Sequence, residues 1–347
     1  MALSRATHPL ARWASALMLA LGVVAQAAAA APAQTWSIVD IPALGSRGAI
    51  ALTINNRGDV GGYSAAVPPG AAYDYYHAFI HHDGTTTDLG RELGSPPGYA
   101  NTQVTVMNDR GTAVIGGQTG LKMYSNGQWT SLPFSGSVTD INNKDVIVGS
   151  YSYGLGGHAF RYADGMFQDL GTLGGPYSGA TAINDRGVIV GSSYIDYSGT
   201  QPFVYENGVM RSLGTLGGLY GTATDINSHG VIVGRAQDAT GTWQPFIYDA
   251  KNGLRIMENV PAGANIHAIN DRGVVLGSYP NPNFQGETQF IWKDGVLTAL
   301  NTLPEVKAAG WGSIFVTDMN DKGQITGWGW KTGGGTFISQ SFLLTPR

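Results

Sequence analysis

Cysteine is absent from the 347 residues of this chain, and charged residues make up only 13% of it. Without cysteine there can be no disulfide, no thiolate nucleophile and no cysteine-bound metal. The formal net charge is −4, whereas a nucleic-acid-binding surface needs clustered basic residues. The sequence therefore excludes thiol chemistry, and we predict no nucleic-acid partner.

Long apolar runs are also missing, apart from one short stretch near the N-terminus. Arg5 and Arg12 flank the start of this region, and the apolar segment Ala16–Val24 is followed by small residues. This pattern predicts a secretory signal peptide over residues 1–31, with cleavage between about 27 and 33. A membrane anchor is the alternative, but it needs about 20 apolar residues. We expect one mature domain over residues 34–347, exported to the periplasm or outside the cell, with no membrane span.

One short stretch recurs along the rest of the chain. Ile183–Gly191 reads Ile-Asn-Asp-Arg-Gly-Val-Ile-Val-Gly, and it returns as Ile226–Gly234 and Ile269–Gly277, 43 residues apart each time. Weaker copies begin at four further positions, Ile54, Met107, Ile141 and Met319. An internal repeat at this spacing is typical of propellers and other repeat architectures.

Each repeat contains four β-prone segments separated by turn residues. The asparagine and glycine of the recurring stretch fit a tight turn, and the Val-Ile-Val segment after it favours a strand. Small residues such as Ala180 and Ala182 suit an innermost strand beside a crowded axis. We therefore predict an all-β fold, a seven-bladed β-propeller of four-stranded antiparallel blades. The second repeat is short, with 34 residues from Asn108 to Asn142, and the first is long, with 53 from Asn55 to Asn108.

The two ends of the chain carry complementary parts of one blade. Trp36–Ile41 has the spacing of an outer strand, and the last repeat ends after its third strand at Gln340–Leu344. We predict that the N-terminal strand completes the last blade and closes the ring. An open solenoid is the alternative, but a solenoid needs caps at its ends rather than complementary strands.

The repeat resembles a known bacterial group. His77-Ala78-Phe79, His158-Ala159-Phe160 and the Asp-Leu-Gly-Thr-Leu-Gly-Gly run of Asp169–Gly175 are similar to the HAF repeat of bacterial extracellular repeat proteins. The resemblance covers most of the chain after the signal segment. It implies export, and it implies no particular activity.

The strand order predicts two different faces of the propeller. The connections between second and third strands vary in length and carry most of the aromatic residues, whereas the opposite face carries short, uniform turns. Variable loops on a rigid scaffold often hold function, and exposed rings suit sugars or extended peptides. The alternative is that these rings only pack the loops onto their blades. The candidate ligand-binding residues are Tyr75, Tyr76, Tyr151, Tyr153, Tyr194, Tyr197, Trp243, Tyr279, Trp328 and Trp330.

Chemistry-bearing motifs are few. His267 lies near the start of an inner strand, where other repeats have Thr181 and Thr224, so it is a weak catalytic candidate at the axis. The Asn-Asp-Arg-Gly turns offer too few oxygens each for calcium, so we predict no metal and no cofactor. Three functions remain open: a non-enzymatic glycan- or peptide-binding propeller, a polysaccharide lyase or hydrolase with its site at the axis, and a structural matrix protein. The first is our main expectation.

Overall fold

The recurring stretch forms the turn between the two inner strands of each repeat. In the computed structural model the described residues are 34–45, 47–154, 156–281, 286–331 and 338–347. The predicted signal peptide over residues 1–31 and its cleavage region up to residue 33 lie outside them. The described chain forms one compact unit, Thr35–Arg347, built almost entirely from β-strands.

Five four-stranded antiparallel sheets form separate blades. Four of them follow the chain from the innermost to the outermost strand. The first has β2 (Ala49–Ile54), β3 (Val60–Ala66), β4 (Tyr75–His82) and β5 (Thr85–Asp88). The second has β6 (Thr102–Met107), β7 (Ala113–Gly117), β8 (Lys122–Ser125) and β9 (Gln128–Ser131). The third has β10 (Ser137–Ile141), β11 (Ile147–Tyr153), β12 (Gly156–Ala163) and β13 (Met166–Asp169). The fourth has β22 (Asn265–Ile269), β23 (Val275–Pro280), β24 (Glu287–Lys293) and β25 (Val296–Ala299).

The remaining separate blade joins the two ends of the chain. It contains β26 (Trp311–Met319), β27 (Ile325–Lys331), β28 (Gln340–Pro346) and, as its outer strand, β1 (Trp36–Ile41). β1 pairs with β28 from Trp36 opposite Pro346 to Ile41 opposite Ser341, which confirms the predicted closure. A 3-10 turn (Leu300–Thr302) and one short helix, α1 (Pro304–Ala308), precede this blade. Glu305 of α1 accepts a hydrogen bond from the main-chain nitrogen of Trp36.

The prediction of seven separate blades is wrong. Eight strands form a single sheet: β14 (Ser178–Ile183), β15 (Ile189–Tyr194), β16 (Thr200–Glu206), β17 (Val209–Ser212), β18 (Gly217–Ile226), β19 (Ile232–Asp238), β20 (Trp243–Asp249) and β21 (Gly253–Ile256). Two repeats are joined there because β16 and β18 run parallel with Thr200 opposite Tyr220. The cause lies in β18, which begins early and runs for ten residues, so that its first half reaches β16.

The last glycine of the recurring stretch is required by a close approach of two strands. A side chain at Gly191 would place its Cβ 2.0 Å from the main-chain oxygen of Gly179 on β14 and 2.9 Å from the ring of Phe203. Phe203 is fully buried, as are the equivalent phenylalanines of five other repeats. Gly191 therefore lets the large ring of Phe203 pack against the two inner strands of its repeat.

The asparagines that follow the inner strands form a closed ring. Each side-chain Nδ2 donates a hydrogen bond to the main-chain oxygen of the equivalent asparagine in the next repeat, over 2.9 to 3.2 Å. The side-chain oxygen of Asn320 accepts one main-chain N–H bond of its own turn, and the side-chain oxygen of each of the other six accepts two. The ring members are Asn55, Asn108, Asn142, Asn184, Asn227, Asn270 and Asn320, all buried. These turns are thus structural, and they tie each repeat to the next.

Candidate functional site

A cleft opens on the loop face because the second repeat is short. β7 and β8 share three residue pairs, whereas β3 and β4 share seven, as do β11 and β12. At about 3.3 Å per residue, the second hairpin is about 13 Å shorter than its neighbours. The missing length leaves a gap between two taller hairpins, and the gap has a volume of about 830 Å3.

Two tyrosines form one wall of the cleft. Tyr63 on β3 and Tyr76 on β4 pack edge to face with their ring centroids 5.5 Å apart. Burial, and then the neighbouring Tyr76, raise the pKa of the Tyr63 phenol, so it stays protonated and can donate a hydrogen bond. Phe134, in the link to the third repeat, supplies an aromatic surface on the opposite side.

The cleft combines these rings with neutral polar groups and has no charged side chain among its lining residues. Asn101 accepts a hydrogen bond from the main-chain nitrogen of Tyr76, and its Nδ2 has no partner within the described chain. Gln103 is exposed and makes no side-chain hydrogen bond to the described residues. Ser135 and Ser137 add hydroxyls. Such a lining suits a neutral ligand that has apolar faces and many hydroxyl or amide groups.

Among the predicted aromatic residues, Tyr76 lines this cleft and the others lie elsewhere. Tyr75 packs against Tyr99, with ring centroids 5.3 Å apart. Tyr279 packs against the buried Phe290 at 5.8 Å. These two contacts support the alternative interpretation, in which the rings hold loops onto their blades.

The predicted tryptophans are also engaged by neighbouring side chains. Trp328 stacks on Phe315 with centroids 4.7 Å apart, and Trp330 lies 5.4 Å from the same ring. Trp243 is half-buried and lies 5.0 Å from the guanidinium carbon of Arg235, in a cation–π arrangement. They form two local clusters and are not part of the cleft.

The third repeat brings two predicted tyrosines together. Tyr153 is 54% exposed and stacks on His158 at 4.4 Å, while Tyr151 lies 6.1 Å from Tyr153. Burial, and then the nearby Asp169 carboxylate, raise the pKa of Tyr151 to about 12. His158 Nδ1 lies 2.9 Å from Asp169, so this histidine holds two strands together.

The remaining two predicted tyrosines lie on the next hairpin. Tyr194 packs against Tyr177 with centroids 5.4 Å apart. Tyr197 is 90% exposed, more than any other tyrosine of the described chain. A ring held in water at a hairpin tip contributes little to packing, so it is available to a partner.

A second cavity lies on the propeller axis and has a volume of about 320 Å3. Each inner strand has a β-bulge there, and the bulged residue lines the cavity. These residues are Leu52, Thr105, Thr139, Thr181, Thr224, His267 and Thr317. His267 therefore does reach the axis, where burial lowers its pKa and its Nε2 lies 3.1 Å from Ser278 Oγ.

Three aspartates share the axial cavity, and sequence reasoning missed them. Asp140, Asp225 and Asp318 lie one residue after the bulges of alternate repeats. One oxygen of each accepts the main-chain N–H of the following residue. The other accepts an N–H from the next repeat, as Asp225 does from Ile269 at 2.7 Å. The carboxyls are thus braces between repeats as well as part of the cavity wall.

The enclosed position of these aspartates changes their acidity. Their side chains are partly exposed to the cavity, but the inner strands of all the repeats surround that cavity. Desolvation raises the pKa of Asp140 to about 7, of Asp225 to about 8 and of Asp318 to about 6. The signal was present in the sequence, because Asp-Ile-Asn occurs twice and Asp-Met-Asn once at the same repeat position.

Within the described residues, no group of three or more histidine and acidic side chains is arranged to hold a metal ion. The same part of the chain has no helix that is both long and apolar enough to cross a membrane.

The chain is similar in fold to solved β-propellers. The β-propeller domain of the Trilobed protease from Pyrococcus furiosus is 12% identical, with a TM-score of 0.55, and the match covers 86% of this chain and 94% of that one. The extracellular domain of a protein described as a hybrid two-component system from B. thetaiotaomicron is 11% identical, with a TM-score of 0.53 over 88% of this chain and 39% of that one. Pyrococcus horikoshii acylaminoacyl peptidase is 12% identical, with a TM-score of 0.51 over 85% and 51%.

These similarities establish the β-propeller fold and nothing finer. This chain covers less than two thirds of the latter two proteins. No protein-family model matches the chain, and no curated protein sequence matches it. Function must therefore be argued from the site itself.

Proposed function

We propose that this chain is an exported, non-enzymatic binding protein that captures a glycan or peptide in the cleft above its second repeat. The observation that carries the proposal is the uncharged cleft of about 830 Å3, with the Tyr63–Tyr76 pair on its wall. A concave site with aromatic surface and a few neutral polar groups is the usual form of a small-ligand site. Export is supported by the signal-like N-terminal sequence and by the HAF-repeat resemblance.

The test is a glycan and peptide array probed with residues 34–347, followed by calorimetry on the best ligand. Gln103→Ala removes a free amide from the cleft, and Tyr76→Ala removes its most exposed ring. Each variant should weaken binding by about ten-fold, equivalent to about 1.4 kcal/mol. Gln128→Ala on the outer strand β9 and Tyr73→Ala, 79% exposed and not part of the cleft lining, are the matched controls.

Loss of binding in the controls as well as in the cleft variants would place the ligand elsewhere. A properly folded protein that captures nothing from either array would favour the structural-matrix alternative. Thermal unfolding of each variant shows whether a loss of binding comes from a loss of fold.

The axial cavity supports catalysis as a second candidate function. His267 shares it with three carboxyl groups whose pKa values are raised toward neutrality, the range that suits a general acid or base. However, both oxygens of each carboxyl already accept main-chain hydrogen bonds, which favours a structural role. We therefore expect no turnover of common polysaccharides. Steady release of reducing ends that disappears in His267→Ala and in Asp225→Asn would assign an enzyme activity to this cavity.

A further inference from the structure

The cleft continues into a row of aromatic rings along the third repeat, of which Phe134 and Tyr151 are half-buried. Phe134 of the cleft lies 5.4 Å from Phe167, and Phe167 lies 4.9 Å from Tyr151. Tyr151 in turn lies 6.1 Å from the exposed ring of Tyr153. A continuous chain of ring contacts therefore leads from the cleft to the tip of the third repeat's hairpin.

The next step crosses to the fourth repeat. Gly157 on β12 forms a parallel bridge with Tyr177, in the link that leads to β14. Tyr177 packs against Tyr194, and its main-chain oxygen accepts a hydrogen bond from the Tyr194 nitrogen at 2.9 Å. The exposed Tyr177 ring thus lies between the third and fourth hairpins.

The row then reaches the fifth repeat. The main chain at Gly199 lies against that of Leu219, where a Cβ on the glycine would be 2.6 Å from the Leu219 oxygen. Thr200 is paired with Tyr220 in the fused sheet. The pairing that joins the two repeats therefore also places Tyr220 beside the hairpin that carries Tyr197.

We call the four exposed rings of Tyr153, Tyr177, Tyr197 and Tyr220 the aromatic track. Their exposed fractions are 54%, 45%, 90% and 38%, and Leu219 beside them is 59% exposed. Large apolar side chains exposed on neighbouring repeats of one surface indicate an interaction site. The rings of Tyr153, Tyr197 and Tyr220 also have hydroxyls that can bond to a polar partner.

The charges near the track are few and negative or paired. Asp196, beside Tyr197, accepts hydrogen bonds from Ser198, which lower its pKa and keep it ionised. Asp169 is paired with His158 beneath Tyr153. An ionised Asp196 disfavours an acidic polymer on this surface, and no charged side chain lines the cleft.

The main chain along the track leaves little opportunity for an added peptide strand. The Gly175 nitrogen donates to the Tyr194 oxygen, and the Tyr194 nitrogen donates to the Tyr177 oxygen. β15 and β16 pair with each other along their whole length up to Tyr194 opposite Thr200. Peptide recognition by strand addition needs an unpaired edge, and these hairpin edges are covered by the links.

We infer that the cleft and the aromatic track together bind one chain of a neutral polysaccharide, with the end or a branch in the cleft and successive sugar rings on the tyrosines. The inference rests on the proposed binding function of the cleft and adds the ligand class and the length of the site. The apolar face of a pyranose ring fits a tyrosine face, and its hydroxyls can bond to the amides and phenols.

The experiment measures affinity against ligand length. The protein is titrated with neutral cello-, malto- and xylo-oligosaccharides, from disaccharides to long oligomers. It is also titrated with the matching soluble polysaccharides. The native chain should bind long ligands at least about ten-fold more tightly than short ones. The double variant Tyr153→Ala/Tyr197→Ala should lose this gain and keep its affinity for the short ligands. Val209→Ala, 63% exposed on the outer strand β17, is the control and should behave like the native chain.

The outcomes separate this inference from the proposed function. Gln103→Ala should weaken the binding of short and long ligands alike, because Gln103 lies in the cleft. If it does so while Tyr153→Ala/Tyr197→Ala changes the affinity for neither short nor long ligands, the aromatic track does not bind the ligand. The proposed binding function of the cleft then stands. Tighter binding to polygalacturonate or alginate than to any neutral glycan would overturn the inference, as would capture of peptides alone. If the protein binds none of the saccharides or peptides, both the proposed function of the cleft and the aromatic-track inference are wrong.

Discussion

The side-chain amide of Asn320 donates a hydrogen bond of 2.9 Å to the main-chain oxygen of Asn55, although 265 residues separate them in sequence. This bond completes the asparagine ring on the turn face. On the same blade β1 pairs with β28, so the ends of the chain are joined at the outer edge as well as near the axis. Closure at two radii removes the open strand edge that a linear array would expose.

The asparagine ring predicts an unusual pH rescue. Asn184→Asp keeps the oxygen that accepts the Arg186 and Val188 N–H bonds, but its ionised form has no donor for the Asn227 oxygen. We expect a loss of about 1–3 kcal/mol in unfolding free energy at neutral pH. Acidification should restore part of this loss, because a protonated carboxyl can donate again.

Urea unfolding of the native chain, Asn184→Asp and Asn184→Ala at several pH values measures this effect. The alanine variant loses both functions and should show no recovery on acidification. Asn207→Asp, in an exposed hairpin turn, is the control and should change stability little. If Asn184→Asp stays as unstable in acid as at neutral pH, the ring bond does not contribute in the way we describe.

Closure by β1 can be tested by truncation and complementation. A chain that begins at Pro42 lacks the six residue pairs between β1 and β28 and exposes the buried face that Trp36 covers. It should unfold at a lower temperature than a chain that begins at Thr35. A synthetic peptide of residues 35–41 should raise that temperature progressively as its concentration increases, because it binds only the folded state. Equal melting temperatures for the two chains would contradict the closure.

The axial aspartates predict a pH dependence of stability with a definite sign. Because the folded-state pKa of Asp225 is raised to about 8 from 3.8, the folded protein holds this proton more tightly than the unfolded chain does. The contribution is therefore fully present below about pH 4 and is lost as the pH rises through 8. Asp140 and Asp318 act in the same direction, and their contributions to stability are lost as the pH rises through about 7 and about 6, respectively.

Comparison with Asp225→Asn isolates this effect from other titrating groups. The two oxygens of Asp225 accept hydrogen bonds from the main-chain nitrogens of Ile226 and Ile269. The asparagine side chain has one oxygen and so can accept only one of these bonds. The variant should therefore be less stable than the native chain in acid. The difference should shrink or reverse above pH 8, where the native carboxylate is ionised. Asp196→Asn is the control, since the pKa of this exposed group is lowered and its titration falls below the tested range. If the difference in unfolding free energy between the native chain and Asp225→Asn stays constant from pH 5 to 9, Asp225 does not take up a proton on folding.

Much of the fold could be read from local patterns. The recurring stretch fixes the asparagine turn and the glycine that accommodates Phe203, and the complementary ends predict β1 beside β28. The number of separate blades could not be read in this way. It depends on whether the link before β18 continues as a strand, and that was decided by its pairing with Thr200, a contact between two different repeats.

The candidate site depended still more on contacts between repeats. The short second repeat was visible in sequence, but its consequence was a gap between Tyr76 and Phe134, which belong to the repeats on either side. The sequence analysis did not single out Asp225, because its hydrogen bond from Ile269 crosses to the next repeat. Aromatic content was a poor guide for the opposite reason: rings such as Tyr279 pack within their own blade.

The cleft itself can be closed by one substitution. Ser137 begins β10, is exposed, and lines the cleft, so Ser137→Trp should fill part of the space with an indole ring without disturbing the core. We expect ligand affinity to fall by more than about ten-fold, while the unfolding free energy stays within about 0.5 kcal/mol of the native value. Ser131→Trp places the same ring on the exposed outer strand β9 and should leave affinity unchanged. Any residual binding to the Ser137→Trp chain should alter the fluorescence of the new indole, because ligand and ring would share one space. Native affinity together with unaltered fluorescence would show that the ligand does not enter this cleft.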